Sequence, residues 1–294
     1  MAVYKRRYNP YTGSIAAEWS RFLVLTRYAI ADLFKSRFFV VFLILCFVPA
    51  LFFAGYIFIA NNKTLQVLLQ MRSAGLLSVE SQFFVTFLAT QTQLAFLLNC
   101  WVGPVLIAGD LTNGALPLFL SRPFSRAEYV LGKFSVLAVL LSTVTWLPCL
   151  LLFSLQAGLA KGGWIWSHLW MIVPIVSCSA IWILMLSLIA LAMSAWVKWR
   201  NIATAGIFAA FLVPAGFGGI FNATLKTDWG HLVNFTYLFR VVLLRGFRME
   251  SALAGYERGH AFPGLAAWGM MILVCVLALV MLNARLRPRE VVRG

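Results

Sequence analysis

The sequence predicts an all-α integral membrane protein, and three observations lead to this prediction. Of its 294 residues, 62% are hydrophobic and 11% are charged, and the mean hydropathy is +0.88. Soluble domains carry about 25% charged residues. Six apolar runs are long enough to cross a bilayer. The net charge of +15 is spread beside these runs, so we expect it to meet membrane lipids and not nucleic acid.

The first segment, residues 1–37, is predicted to be a cytoplasmic basic tail followed by an amphipathic interfacial helix. Between Ser14 and Lys35, apolar residues recur at three- and four-residue spacing, and Glu18 suits the first helical turn. We expect this helix to lie in the membrane surface, because the chain has no soluble core on which it can pack.

The transmembrane domain is predicted over residues 38–282, as six spans of a length that matches a hydrocarbon core of about 30 Å. The spans are Phe38–Ala60, Phe83–Ala108, Phe134–Leu155, Met171–Val197, Ile202–Leu225 and Ala266–Leu282. A basic cytoplasmic tail, residues 283–294, follows the last span.

The fifth span and the segment after it carry special features. Pro214, Gly216, Gly218 and Gly219 predict a kink or break that stops the span short or makes it re-enter the membrane. The long external loop, residues 226–265, contains apolar residues at helical spacing around Arg240. This pattern predicts a short amphipathic helix that dips into the outer leaflet.

The distribution of Lys and Arg predicts the orientation. Alternate segments carry 16 of these residues on one side and 8 on the other. Cytoplasmic segments are enriched in Lys and Arg, so we expect both termini and the loop at residues 109–133 in the cytoplasm.

Residues that could carry catalysis or bind a metal are sparse. The five cysteines lie inside apolar runs, and the three histidines are scattered without the spacing of metal ligands. Gly132 and Lys133 are followed by Phe134, and Ala127 stands where a phosphate-binding loop needs its first glycine. The spans contain no paired carboxylates of the kind that proton-coupled carriers use. We therefore expect no catalytic site and no metal site, and we expect another subunit to supply the energy.

The second span carries uncharged polar residues, for which two interpretations remain open. Thr86, Thr90 and Gln93 share one helical face, and Asn99 lies on another. They can form a translocation surface, or they can bond to neighbouring helices as polar residues in bundles commonly do.

The most specific stretch is the loop at residues 109–133. It reads GDLTNGALPLFLSRPFSRAEYVLGK and carries apolar anchors beside charged residues, as protein interfaces do. Arg122 and Arg126, on either side of Pro123, can grip acceptors on a partner. Alternatively, they mark topology or pair with Asp110 and Glu128.

This loop resembles the permease subunits of type-2 ATP-binding-cassette (ABC) transporters. The resemblance covers about 25 residues closely, through the SRPFSR run and the Gly-Lys that begins the third span, and the six-span plan loosely. Here Asp110-Leu111 stands where many members have Glu-Arg. The resemblance implies a coupling helix that docks on a cytoplasmic ABC ATPase through residues including Asp110, Leu111, Leu116, Arg122, Pro123, Arg126 and Glu128.

The resemblance also implies a working arrangement. The permease is expected to be a dimer, with a second copy or a paralogue, in a bacterial-type inner membrane. Dimer contacts would involve the first and fifth spans, near the segment from Pro214 to Gly219. The chain itself would need no cofactor, since ATP and Mg would bind the ATPase. The alternative is a membrane scaffold or assembly factor that holds cytoplasmic proteins by the same loop without transport.

Overall fold

The computed structural model describes residues 21–68, 78–112, 125–160, 163–197, 199–252 and 263–285. These residues are largely helical, and no strand occurs among them. The helices are α1 (Arg21–Phe34), α2 (Arg37–Asn61), α3 (Lys63–Leu68), α4 (Ser81–Thr112), α5 (Arg126–Val144), α6 (Trp146–Leu159), α7 (Trp164–His168), α8 (Ile172–Trp196), α9 (Arg200–Leu225), α10 (Phe235–Gly246) and α11 (Gly264–Arg285), with short 3-10 turns at Leu169–Met171, Trp229–Val233 and Glu250–Ala252.

Within the described ranges, six helical stretches are long and apolar enough to cross a membrane, which agrees with the predicted number and indicates a multi-pass membrane protein. They are Arg37–Asn61, Ser81–Asp110, Arg126–Leu159, Trp164–Trp196, Arg200–Leu225 and Gly264–Arg285. Each overlaps one of the predicted spans, because length and hydrophobicity alone determine this level of structure.

The third span consists of two helices, α5 and α6, with a break at Thr145. The backbone of Thr145 has φ −96° and ψ −91°, outside the helical region. Pro148 explains the break, because proline lacks an N–H group and its ring clashes with the carbonyl group four residues earlier. The Thr145 hydroxyl donates to the carbonyl oxygen of Leu141 at 2.8 Å and so uses an acceptor at the end of α5.

The fourth span forms the centre of the bundle, and two spans lie at its edge. In the most apolar stretch of each span, 72% of the residues are buried in the fourth span, Trp164–Trp196, compared with 11% in α2 and 17% in α9. Helix α8 packs against α4 on one side and α11 on another. The apolar side chains that α2 and α9 leave exposed therefore form the outer surface of the single chain, where hydrocarbon or a partner helix covers them.

Helix α9 is continuous from Arg200 to Leu225, so the predicted break that would stop the span short is wrong, and the span ends at Leu225 as predicted. Gly218 serves a different purpose from a helix break. It is buried, and a methyl group on it would overlap the carbonyl oxygen of Gly230 in the following 3-10 turn. The side chain of Asn222 fastens the same turn, since its oxygen accepts from the Gly230 amide at 2.6 Å. The small residue thus lets the external segment lie directly on the end of α9.

Helix α10 is the helical part of the long external loop. Asn234 caps its start by accepting from the Tyr237 amide at 3.1 Å. Its buried residues, Leu238, Phe239, Val241, Val242, Leu243 and Leu244, pack with α8 and α11. The apolar face that the pattern assigned to the outer leaflet is therefore covered by the protein's own spans.

Candidate functional site

A buried ion pair joins the two ends of the loop at residues 109–133. Asp110 is in the last turn of α4, and Lys133 is in the second turn of α5. The Lys133 Nζ atom lies 2.8 Å from the Asp110 Oδ2 atom, with side-chain exposures of 7% and 22%. The hydroxyl group of Tyr129 donates to the same carboxylate oxygen at 2.8 Å. Because Tyr129 and Lys133 are four residues apart, both reach Asp110 from one face of α5.

The start of α5 has its own reciprocal cap, which sets the direction in which the chain leaves the loop. The Glu128 amide donates to Ser125 Oγ at 3.2 Å, and the Ser125 amide donates to Glu128 Oε2 at 2.6 Å. This capping box provides acceptors for two backbone amides that have no acceptor within the helix. Arg126, the first residue of α5, is exposed beside it.

Helix α1 docks on α5 one residue before Lys133. Gly132 permits the close approach, because a Cβ atom there would lie 2.9 Å from Leu25 Cδ2 and 3.2 Å from the Phe22 carbonyl oxygen. The buried hydroxyl group of Thr26 bonds to the Gly132 carbonyl oxygen at 3.0 Å. Thus α1, the end of α4 and the start of α5 meet at one place.

Pro104 lies inside α4, shortly before Asp110, and two other spans supply polar groups around the proline. Pro104 leaves the carbonyl oxygen of Cys100 without its helical donor. The Thr204 hydroxyl of α9 donates to that oxygen at 3.4 Å. From α8, the buried Ser194 hydroxyl donates to the Pro104 carbonyl oxygen at 3.0 Å.

The same Ser194 oxygen accepts from two amides of α4, those of Ile107 at 3.3 Å and Ala108 at 2.9 Å. Gly103 brings the two helices close enough for these bonds, since a Cβ atom there would lie 2.6 Å from the Ala190 methyl group. The last turns of α4, which end at the ion pair, are therefore fixed to α8.

The structure brings together only some of the predicted coupling residues. Asp110 is paired with Lys133, and Glu128 completes the capping box with Ser125. The backbone of Leu111 is helical. Leu116, Arg122 and Pro123 lie outside the described residues, as does the middle of the loop, residues 113–124, in which the coupling helix between the second and third spans is predicted.

The polar residues of the second span separate into two groups. Thr86, Thr90 and Gln93 are exposed on α4, and the two threonine hydroxyls bond to carbonyl oxygens of their own helix, of Gln82 and Thr86. Asn99 is fully buried and donates to the Leu186 carbonyl oxygen of α8 at 3.1 Å. Asn99 therefore stabilises helix packing and does not share a surface with the other three.

A cavity of about 470 Å³ opens beside the exposed group, between α2 and α4. Its walls are mostly aromatic, from Phe52, Phe53, Tyr56 and Phe83, and Gln82 and Thr86 give it a polar edge. An apolar or amphipathic molecule suits such a lining.

Tyr129 and the pairing of Lys133 with Asp110 are not among the features that the sequence predicts for this site. The available signal was the four-residue spacing of Tyr129 and Lys133 at the start of an apolar run, opposite an aspartate at the end of the preceding run. In the described ranges, no group of three His, Cys, Asp or Glu residues is placed to hold a metal ion. No protein-family model matches the chain, and no curated protein matches it significantly.

Proposed function

We propose that the chain is the transmembrane permease subunit of an ABC exporter, which turns the movement of a separate cytoplasmic ATPase into export or mechanical transmission. The observation that carries this proposal is the buried Asp110–Lys133 pair, which closes the base of the loop that resembles a coupling segment. A loop closed in this way passes a displacement to two spans at once. A loop whose two ends made no contact with each other would not transmit a displacement to both spans.

The contacts around the pair supply a route for such a displacement. Helix α4 leads from the pair towards the other end of the second span, and Ser194 connects its last turns to α8 at the centre of the bundle. Helix α5 leads into the third span and carries α1 through Gly132. A push on the loop would therefore reach the second, third and fourth spans through packed helices and buried hydrogen bonds.

The remaining parts of the proposal follow from the sequence resemblance. ATP and Mg would bind the ATPase, and the chain would act as a dimer in a bacterial-type inner membrane with both termini in the cytoplasm. The exposed faces of α2 and α9 provide apolar area for a second copy or a paralogue. Thr86, Thr90 and Gln93 are the candidate translocation surface. Thr86 also lines the aromatic cavity, whose walls favour an apolar or amphipathic substrate.

Co-purification tests the partner. The detergent-solubilised protein is isolated as wild type, as Arg122→Glu/Arg126→Glu, and as the control Lys63→Glu/Lys226→Glu, which reverses two exposed charges outside the loop. We expect wild type and control to retain an ABC ATPase and the loop variant to lose it. Retention by all three would remove these arginines from the interface. Capture of other proteins without an ATPase in every sample would favour the scaffold function.

A further inference from the structure

A second cavity, of about 490 Å³, lies at the other end of the bundle face formed by α2, α4 and α9. Its walls are apolar on α2 and α4, with Phe42 and Leu97, and polar at the start of α9, with Arg200, Asn201 and Thr204. Helix α4 packs against both α2 and α9, so it forms the floor of a groove between them. One cavity thus presents a hydrocarbon-like wall and a cationic end.

Trp101 organises this cavity. Its ring is 40% exposed, is stacked with Phe42 at 6.3 Å between centroids, and lies 5.9 Å from the guanidinium carbon of Arg200. Tryptophan beside arginine at the end of a span is the arrangement typical of the headgroup layer of a membrane. The guanidinium group beside Trp101 lies at such an end, because Arg200 is the first residue of the span Arg200–Leu225.

The charge of Arg200 is available to a ligand. Among the residues that the structure describes, no carboxylate lies within ion-pair distance of its guanidinium group. Arg200 is exposed, and α9 begins with it, so the positive end of the helix dipole lies on the same side. Arginine binds phosphate through paired N–H donors.

We infer that this groove binds an anionic phospholipid, with its phosphate at Arg200 and Asn201 and an acyl chain along Phe42, Leu97 and Phe208. A free phosphate would use only the cationic end and leave the apolar walls empty. A zwitterionic lipid such as phosphatidylcholine would fill the walls, but its choline cation would offset part of the attraction between its phosphate and the guanidinium group. The site does not depend on an ATPase partner, so its test on the isolated chain is separate from the co-purification that tests the proposed function.

Native mass spectrometry of the delipidated full chain tests this inference with phosphatidylglycerol, phosphatidylcholine and inorganic phosphate as probes. Three variants are compared with wild type. Arg200→Gln removes the charge, and Asn201→Glu places a carboxylate at the exposed mouth. Arg285→Gln is the matched control, because Arg285 also lies over a tryptophan, Trp196, at 5.7 Å but does not line this cavity.

We expect wild type and Arg285→Gln to bind phosphatidylglycerol more tightly than phosphatidylcholine, and both cavity variants to bind it about fivefold more weakly, as loss of one cation near the membrane surface predicts. Phosphatidylcholine binding should change less than phosphatidylglycerol binding in the two cavity variants, because its choline cation offsets the phosphate charge. Equal loss in Arg285→Gln, or no preference for phosphatidylglycerol in wild type, would overturn the site. Displacement of phosphatidylglycerol by millimolar inorganic phosphate would also overturn it, because the acyl groove would then contribute nothing.

Discussion

Removal of the Asp110 charge should destabilise the protein strongly, because it leaves the buried Lys133 ammonium group without its carboxylate partner. The Lys133 side chain is 7% exposed, and its carboxylate partner, 22% exposed, lies 2.8 Å away. Breaking a buried pair from one side costs about 3–5 kcal/mol. Since Asp110 keeps some contact with solvent, we expect Asp110→Asn to lower the free energy of unfolding by the smaller figure, about 3 kcal/mol.

The reverse substitution should cost less. Lys133→Met leaves a carboxylate that is more exposed than the lysine and still accepts a hydrogen bond from Tyr129 at 2.8 Å. The double variant Asp110→Asn/Lys133→Met removes both charges, and replacing a whole buried pair is often close to neutral. It should therefore be more stable than Asp110→Asn alone.

The assay is thermal unfolding followed with a fluorogenic thiol reagent. The five cysteines, Cys46, Cys100, Cys149, Cys178 and Cys275, are all buried, so their reactivity reports loss of structure. Asp32→Asn is the matched control, because Asp32 and Lys35 form an ion pair at 3.1 Å with exposures of 76% and 78%. Such exposed pairs contribute about 0–1 kcal/mol. The reasoning is refuted if Asp110→Asn unfolds at the same temperature as Asp32→Asn, or if the double variant is no more stable than Asp110→Asn.

Two further predictions concern contacts that fix the spans, and the same assay measures both. Ser194→Ala should lower the free energy of unfolding by about 1–2 kcal/mol, because the hydroxyl group bonds three backbone groups of α4 near Pro104. Ser154→Ala should lower it little, since that exposed hydroxyl group bonds only within its own helix. Equal unfolding midpoints for the two variants would contradict the role of Ser194. Gly218→Val should lower the free energy of unfolding by about 2–3 kcal/mol, because the new side chain overlaps the following turn. Gly219→Val should be tolerated, because a Cβ atom at Gly219 has nothing within 4 Å. An equal loss of stability in both variants would show that helix composition matters there and not the close approach of the turn.

The sequence was sufficient to predict the six spans, because each must bury about 20 apolar residues in hydrocarbon whatever its neighbours are. It was not sufficient to predict their partners. The Asp110 carboxylate and the Tyr129 hydroxyl are 19 residues apart, and Ser194 lies 86 residues from the amide of Ala108. Spacing along the chain contains no information about pairings of this kind, apart from the short separation of Tyr129 and Lys133 on one helical face.

The candidate site shows the same division. Helical spacing in the second span places Asn99 on a different face from Thr86 and Thr90, but only the packing of α8 shows that the Asn99 face is buried and the threonine face is exposed. Proline and glycine chemistry suggested a break at Pro214. The helix continues there, and the buried glycine beyond it serves a close contact with Gly230. The sequence thus predicted which proline, glycine and polar residues matter within the spans, while tertiary packing determined the contacts that they make.

The central claim is that ATP-driven movement enters the bundle through the closed base of the loop. The most direct test is the distance between spin labels at Ala127→Cys and Ala205→Cys, both exposed sites on α5 and α9, in the protein reconstituted with its co-purified ATPase. We expect ATP and Mg to shift the distance distribution, and we expect Asp110→Asn to abolish the shift while the ATPase stays bound. An unchanged distance with and without ATP would contradict transmission through this chain and favour the scaffold function.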